Sequence, residues 1–235
     1  MNPYRKEIFP VSIYHGTLED NNRIKKNLIP YIEKSKNEKG HCKPPDAWLT
    51  DKLITSFENH DVHEDLFSQQ EGSWTNDLRN QYLKLISNFF EEYTWRIDCE
   101  HLWYNYYSNG EWQEKHRHLG DWTDLTHFAF VHFVQFDPKR HMPLTFVDPL
   151  DAERSLSPEL DPPELDGRPT FGKYRPRIKE GDCIMFPAWL EHEVKPGKPT
   201  PDYPRISMAM NIKILQYRDE KYAWMKRDTE DNSND

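Results

Sequence analysis

Arg205-Ile206-Ser207-Met208-Ala209-Met210-Asn211-Ile212-Lys213-Ile214-Leu215 decides the fold class of this chain. Ile206, Met208, Met210, Ile212 and Ile214 fall on one face, and Arg205, Ser207, Ala209 and Asn211 on the other. Successive side chains of a strand point to opposite sides, so this period of two predicts a β-strand. Arg205 and Ser207 share a face, and a guanidinium fork beside a hydroxyl is suited to gripping a carboxylate.

The same period extends upstream. Residues 95–107, 126–136, 144–147 and 177–186 read as strands, with turns at Ser108-Asn109-Gly110 and Glu180-Gly181-Asp182. Before residue 95 the period becomes 3.6. Leu78, Tyr82, Leu85, Ile86, Phe89, Phe90 and Tyr93 make one apolar stripe, which predicts a helix over residues 76–93 packed on a sheet. Residues 19–37 also read as helical, with Pro30 expected to kink or interrupt them. Residues 7–18 read as an edge strand, because Pro10 excludes a central one. Helices followed by many short strands predict an α+β chain with an antiparallel double-sheet or jelly-roll core. A single domain is expected over residues 1–226, with roughly 1–94 as helical support and roughly 95–216 as the core. Residues 148–170, rich in proline and acids, read as a long loop, and the charged residues 227–235 as a disordered tail.

Cys42, Cys99 and Cys183 are scattered, with no Cys-x-x-Cys, which supports neither a disulfide framework nor a thiolate zinc site. With no apolar leader and no run of 18 apolar residues, a cytoplasmic, non-membrane protein is expected. The net charge of −9 argues against a general nucleic-acid surface.

The chemistry concentrates around His116-Arg117-His118. On a strand, positions i and i+2 share a face, so both imidazoles aim at one point, as a metal chelate requires. Alone, such a pair is more often a solvated strand face. The ordering lifts it above that. His192 follows a strand and precedes a polar loop, and Arg205 opens the final strand thirteen residues later. This order implies a metal with open positions beside a carboxylate-bearing co-ligand.

At this point the chain resembles the Fe(II)/2-oxoglutarate-dependent oxygenases, in particular the prolyl-hydroxylase-like branch and the oxygenases of marine bacteria and their phages. The motifs run in order from Trp103-Tyr-Asn, through Gly110 to His116-x-His118, Leu144-x-Phe146-x-Asp148-Pro149, Gly181-Asp182 to Phe186-Pro187, and His192-x-Val194, to Arg205-Ile-Ser207 and Asn211. The resemblance implies a double-stranded β-helix, jelly-roll or cupin-like, with an N-terminal helical layer. It implies Fe(II), 2-oxoglutarate and O2, with ascorbate as an optional auxiliary, and hydroxylation of a C–H bond in a small molecule or a peptidyl residue, prolyl foremost. His116 and His192 match the family's histidine ligands, and Arg205 and Ser207 match its grip on the distal carboxylate, with Asn105 assisting. Tyr106, Trp103 and Asn211 are placed in the substrate pocket or behind the ligands.

One position departs from the family pattern. His118 stands where most relatives carry Asp or Glu, which leaves a three-histidine site. Asp121 is the alternative ligand if a bulge at Gly120 re-aims it, with Asp124 as a further nearby acid. Two other function classes remain open on the sequence: a cupin-like metal enzyme without 2-oxoglutarate, and a non-catalytic jelly-roll binding module.

Overall fold

The final strand becomes the centre of the molecule. The protein is described here by a computed structural model covering residues 11–38, 42–66, 68, 70–89, 95–118, 126–149 and 172–217. Strand β1 (Tyr14–Thr17) and helix α1 (Asn21–Ser35) lead to β2 (Ile54–Thr55), α2 (His60–Leu66) and α3 (Trp74–Phe89). There follow β3 (Trp95–Tyr107), β4 (Gln113–His116), β5 (Phe128–Gln135), β6 (Leu144–Val147) and β7 (Lys173–Tyr174), then β8 (Asp182–Pro187), β9 (His192–Val194) and β10 (Arg205–Tyr217). The strands form a six-stranded sheet, β1-β8-β5-β10-β3-β2, and a four-stranded sheet, β4-β9-β6-β7, with every ladder antiparallel. Two such sheets packed face to face are the jelly-roll form of the double-stranded β-helix.

The alternation of β10 divides the interior into two cores. Ile206, Met208, Met210 and Ile212 join Leu102, Tyr104 and Tyr106 of β3 against Ile24, Leu28, Ile32, Leu78, Tyr82 and Ile86 of the helices. Ala209 joins Trp103, Tyr107, Phe133 and Phe186 between the two sheets. Arg205 lies opposite Tyr107, Ser207 opposite Asn105 and Ala209 opposite Trp103, so the polar face of β10 points into the space between the sheets. β1 lies at one edge of the large sheet; residues 7–10 lie outside the described residues. Also outside them are residues 90–94, 150–171 and 218–235, which include most of the expected loop and the whole tail.

Two local features depart from simple periodicity. Helix α1 runs through Pro30 without the interruption that was one of the two expected outcomes there. Pro30 lies on the exposed side, so the Lys26 carbonyl deprived of its amide partner faces water. In β3, the partners of Met210 and Asn211 are Leu102 and Glu100, leaving His101 as an extra residue in the ladder. His101 sits at φ 44°, the left-handed geometry of a bulge residue. The Leu102 amide next to the bulge donates to Nδ1 of His63 in α2 (2.9 Å).

His132 lies in the helix-side core. The Tyr82 hydroxyl donates to its Nδ1 (2.8 Å), and its Nε2–H donates to the Asn21 amide oxygen (2.9 Å). Burial lowers its pKa to about 3. The unfolded chain therefore takes up a proton below pH 6.5 that the native state refuses, and stability is lost as the pH falls from 6.5 towards 3. In His132→Gln, the slope of unfolding free energy against pH in this window should fall by up to about 1.4 kcal/mol per pH unit. Urea titrations between pH 3.5 and 7 measure it, and an unchanged slope would refute the assignment.

Candidate metal centre

Strands β4 and β9 place His116 directly opposite His192. Between the Gln113–Val194 pair and this one, β4 spends three residues and β9 two, and this irregularity turns His116 inward. The chain stays extended after β4, and the His118 amide donates to the Ala188 carbonyl (2.9 Å). His116 and His118 thereby share a side, as the spacing predicts. The three rings bring one nitrogen each within 4.8 Å of the others, and Nε2 of His118 lies 3.2 Å from Nε2 of His192.

The opposite edge of every ring is occupied. Nδ1 of His116 contacts the Glu114 carbonyl (2.8 Å), and Nδ1 of His192 the Leu190 carbonyl (3.0 Å). A carbonyl only accepts, so both Nδ1 atoms carry the proton. Nδ1 of His118 donates in the same way to the Asn211 amide oxygen (2.8 Å). Each neutral ring therefore has a bare Nε2, and three lone pairs converge. Burial, and then the neighbouring histidines, pull His118 down to about 3 and His192 well below the usual imidazole range; burial also lowers His116. Converging lone pairs on rings that resist protonation repel one another unless a cation sits between them.

The surroundings are apolar. Trp48 stacks on His116 (6.3 Å between ring centres) and Trp103 on His118 (5.8 Å), while Phe186 meets His192 edge-on (4.7 Å). The inner face of the large sheet adds a second chemistry. Arg205 is 3% exposed, and its Nε and Nη1 have no hydrogen-bond partner among the described residues. Its guanidinium lies over the Tyr107 ring at 4.5 Å. Asn105 Oδ1 and Trp103 Nε1 are likewise buried without partners. A buried cation with two unbonded nitrogens and no ion pair among the described residues is a poor resting arrangement for the protein alone. It suits an anion that arrives with the ligand. A recess lined by Tyr107, His141, Met142, Val194 and Thr200 reaches Arg205. Gly110 lets the loop at its rim pass: at φ 83°, a β-carbon there would lie 2.5 Å from the Gly197 carbonyl oxygen.

His116, His118 and His192 come together. Arg205, Ser207, Asn105 and Trp103 occupy one inner face, and Asn211 touches His118. Tyr106 does not belong to this pocket. Adjacent residues of a strand face opposite ways, so with Asn105 inward Tyr106 packs in the helix-side core, under the Lys36 ammonium (3.9 Å). Tyr107, which sequence reasoning passed over, takes the inward position beside Arg205. The alternation could have found it once Asn105 was placed. Asp121 and Asp124 lie outside the described residues. Glu191 bonds Arg117 and Lys115, and Glu193 bonds Lys173 and Lys195; neither holds an imidazole.

Residues 101–211 match the family model described as "Putative 2OG-Fe(II) oxygenase". The matched segment carries all three histidines and Arg205, and over that segment the chain is similar to the 2-oxoglutarate–Fe(II) oxygenases. The family implies Fe(II), 2-oxoglutarate and O2. Solved structures with the fold of this oxygenase include a Pseudomonas putida prolyl-4-hydroxylase (10% identity, 86% of this chain and 92% of that one, TM-score 0.52). A Trichoplax adhaerens prolyl hydroxylase, in complex with a hypoxia-inducible-factor peptide fragment, is similar at 10% identity over 92% and 87% of the chains, with TM-score 0.56. The α-ketoglutarate-dependent epimerase SnoN of nogalamycin biosynthesis is similar at 12% identity over 95% and 87%, with TM-score 0.57. At these identities the likeness is one of fold. No curated protein matches this chain by sequence. Among the described residues no helix is long and apolar enough to cross a membrane.

The orphaned guanidinium makes a test available without turnover. Arg205→Met removes a buried charge and keeps the bulk. It should raise the unfolding free energy of the ligand-free oxygenase by about 1–2 kcal/mol. Thermal unfolding measures this, and a lower midpoint in the variant would contradict the orphan assignment.

Proposed function

We propose that this oxygenase is an Fe(II)- and 2-oxoglutarate-dependent hydroxylase whose substrate is a peptidyl residue, proline foremost. The observation that carries the reading is the pairing of three converging Nε2 atoms with a buried, counter-ion-free Arg205 inside the same pair of sheets. His116, His118 and His192 would hold the metal. Arg205, with Ser207 beside it, would take the distal carboxylate of 2-oxoglutarate bidentately. A metal enzyme that uses no such dianion has no need of this arginine, and a binding module needs neither group. That favours the hydroxylase over both alternatives.

The chain's own part is binding, orientation and exclusion of water. The carbonyls of Glu114 and Leu190 and the Asn211 amide hold the rings in register. Trp48, Trp103 and Phe186 wall the centre and lower its dielectric, which strengthens every charge contact within it. Trp103 Nε1 and Asn105 Oδ1 offer an unused donor and acceptor on the same inner face. Bound there, Fe(II) with 2-oxoglutarate and O2 supplies the oxidation, releasing succinate and CO2 as a C–H bond gains a hydroxyl. The peptidyl substrate is supported by the exposed Trp189 and Leu49. Trp189 adjoins Ala188, whose carbonyl holds the His118 amide, and Leu49 adjoins Trp48. Two exposed apolar side chains near the triad suit a chain that lies across the surface.

Anaerobic titration with Fe(II) and 2-oxoglutarate should give the weak visible band of the chelate, near roughly 500 nm for such complexes as a class. In Arg205→Met the half-saturating 2-oxoglutarate concentration should rise by about a hundredfold. No band in the wild type would overturn the 2-oxoglutarate reading. Succinate release stimulated by proline-containing peptides, with one added oxygen atom on the peptide by mass spectrometry, would establish the substrate class. Oxygen gain on free small molecules alone would overturn that part.

A further inference from the structure

Asn211 does more than fill the wall. It sits on the inner face of β10, and its amide oxygen receives Nδ1–H of a histidine 93 residues earlier in the chain. That contact turns the His118 Nε2 towards Nε2 of His192. Where a carboxylate would bring a negative charge, the protein offers a third neutral nitrogen, held from behind by a neutral amide. The other two rings are held by backbone carbonyls, which are also uncharged.

The charges around the centre are then few. Among the described residues, no Asp, Glu or Cys side chain joins the ligand group. Glu114 acts on His116 from a distance, with one oxygen taken by the Leu49 amide. Glu191 is neutralised by Lys115 and Arg117. A divalent metal would add two positive charges to a site already near the positive charge of Arg205, inside aromatic walls. A 2-oxoglutarate dianion offsets two of these three charges.

We propose that Asn211 is a positioning residue that holds His118 as a third nitrogen donor in a centre with no carboxylate ligand among the described residues, so that divalent metal and 2-oxoglutarate bind interdependently. The inference rests on the metal and co-substrate reading above. The dianion offsets positive charge that opposes the metal, the metal supplies the positive charge that three neutral rings do not offer the near end of the dianion, and linkage makes the enhancement equal in both directions. In a site with a protein carboxylate, one negative charge is present from the start and the mutual enhancement is smaller.

The test uses the whole protein without oxygen. The Mn(II) affinity is read from the free-ion paramagnetic resonance signal, with and without saturating 2-oxoglutarate. In the wild type, 2-oxoglutarate should tighten Mn(II) binding by about tenfold or more. Asn211→Asp supplies an anion on the same Nδ1–H. It should tighten Mn(II) alone and shrink the enhancement to below about threefold. Asn211→Leu keeps the bulk, removes the acceptor, and should weaken Mn(II) by about tenfold. Asp121→Asn should leave the affinity unchanged. Mn(II) binding that ignores 2-oxoglutarate overturns the inference and leaves the metal site standing. So does an enhancement in Asn211→Asp equal to that of the wild type, or a tenfold loss in Asp121→Asn. No Mn(II) binding at all would overturn the metal reading beneath it.

Discussion

A strand can present a given side chain to only one of its two sides, and this constraint on β10 organises the molecule. Its even-numbered residues Ile206, Met208, Met210 and Ile212 must meet the helices, and its odd-numbered residues must meet the small sheet. Arg205, Ser207 and Asn211 are odd-numbered. They are committed to the interior between the sheets by the same alternation that buries the methionines and isoleucines. The pocket and the hydrophobic core are therefore two faces of one strand, and a register slip of one residue would destroy both.

The histidine cluster depends on a second constraint, the two-ended chemistry of imidazole. A ring held through Nδ1–H leaves Nε2 bare, and three rings held this way from three directions give three lone pairs with nowhere else to go. The groups that hold them come from β4, from the turn before β9, and from β10, so both sheets must be in place for the site to exist. Arg205 shows the same logic with the opposite sign. Its charge lies over Tyr107, Phe133 and Phe136, and no ion pair to a carboxylate is made among the described residues. Sites that wait for a ligand are commonly less stable than the apolar alternative would be.

Much of this was legible in the chain. The period of two placed β3 and β6 at their observed limits and placed the faces of β10 correctly, because a buried strand face leaves no freedom in which residues are apolar. The spacing of His116 and His118 put both imidazoles on one side for the same reason. Tyr106 shows where such reading slips. Asn105 and Tyr106 cannot share a pocket, and strict alternation would have named Tyr107. Pro30 shows the other limit, since whether a proline breaks a helix depends on whether the freed carbonyl meets water, which only burial decides.

The sequence by itself determined the fold class, the two histidines on one strand face, and the order of His192 and Arg205 behind them. These follow from covalent geometry, which ties side-chain direction to position along a strand. The tertiary structure decided what local geometry cannot reach. It set Asn211 against His118 across the fold, turned His116 inward through an irregular ladder, and left Arg205 without a counter-ion among the described residues. Those outcomes depend on which distant groups arrive at one point and which do not. No period or spacing records that, because it is settled only when two sheets close on each other.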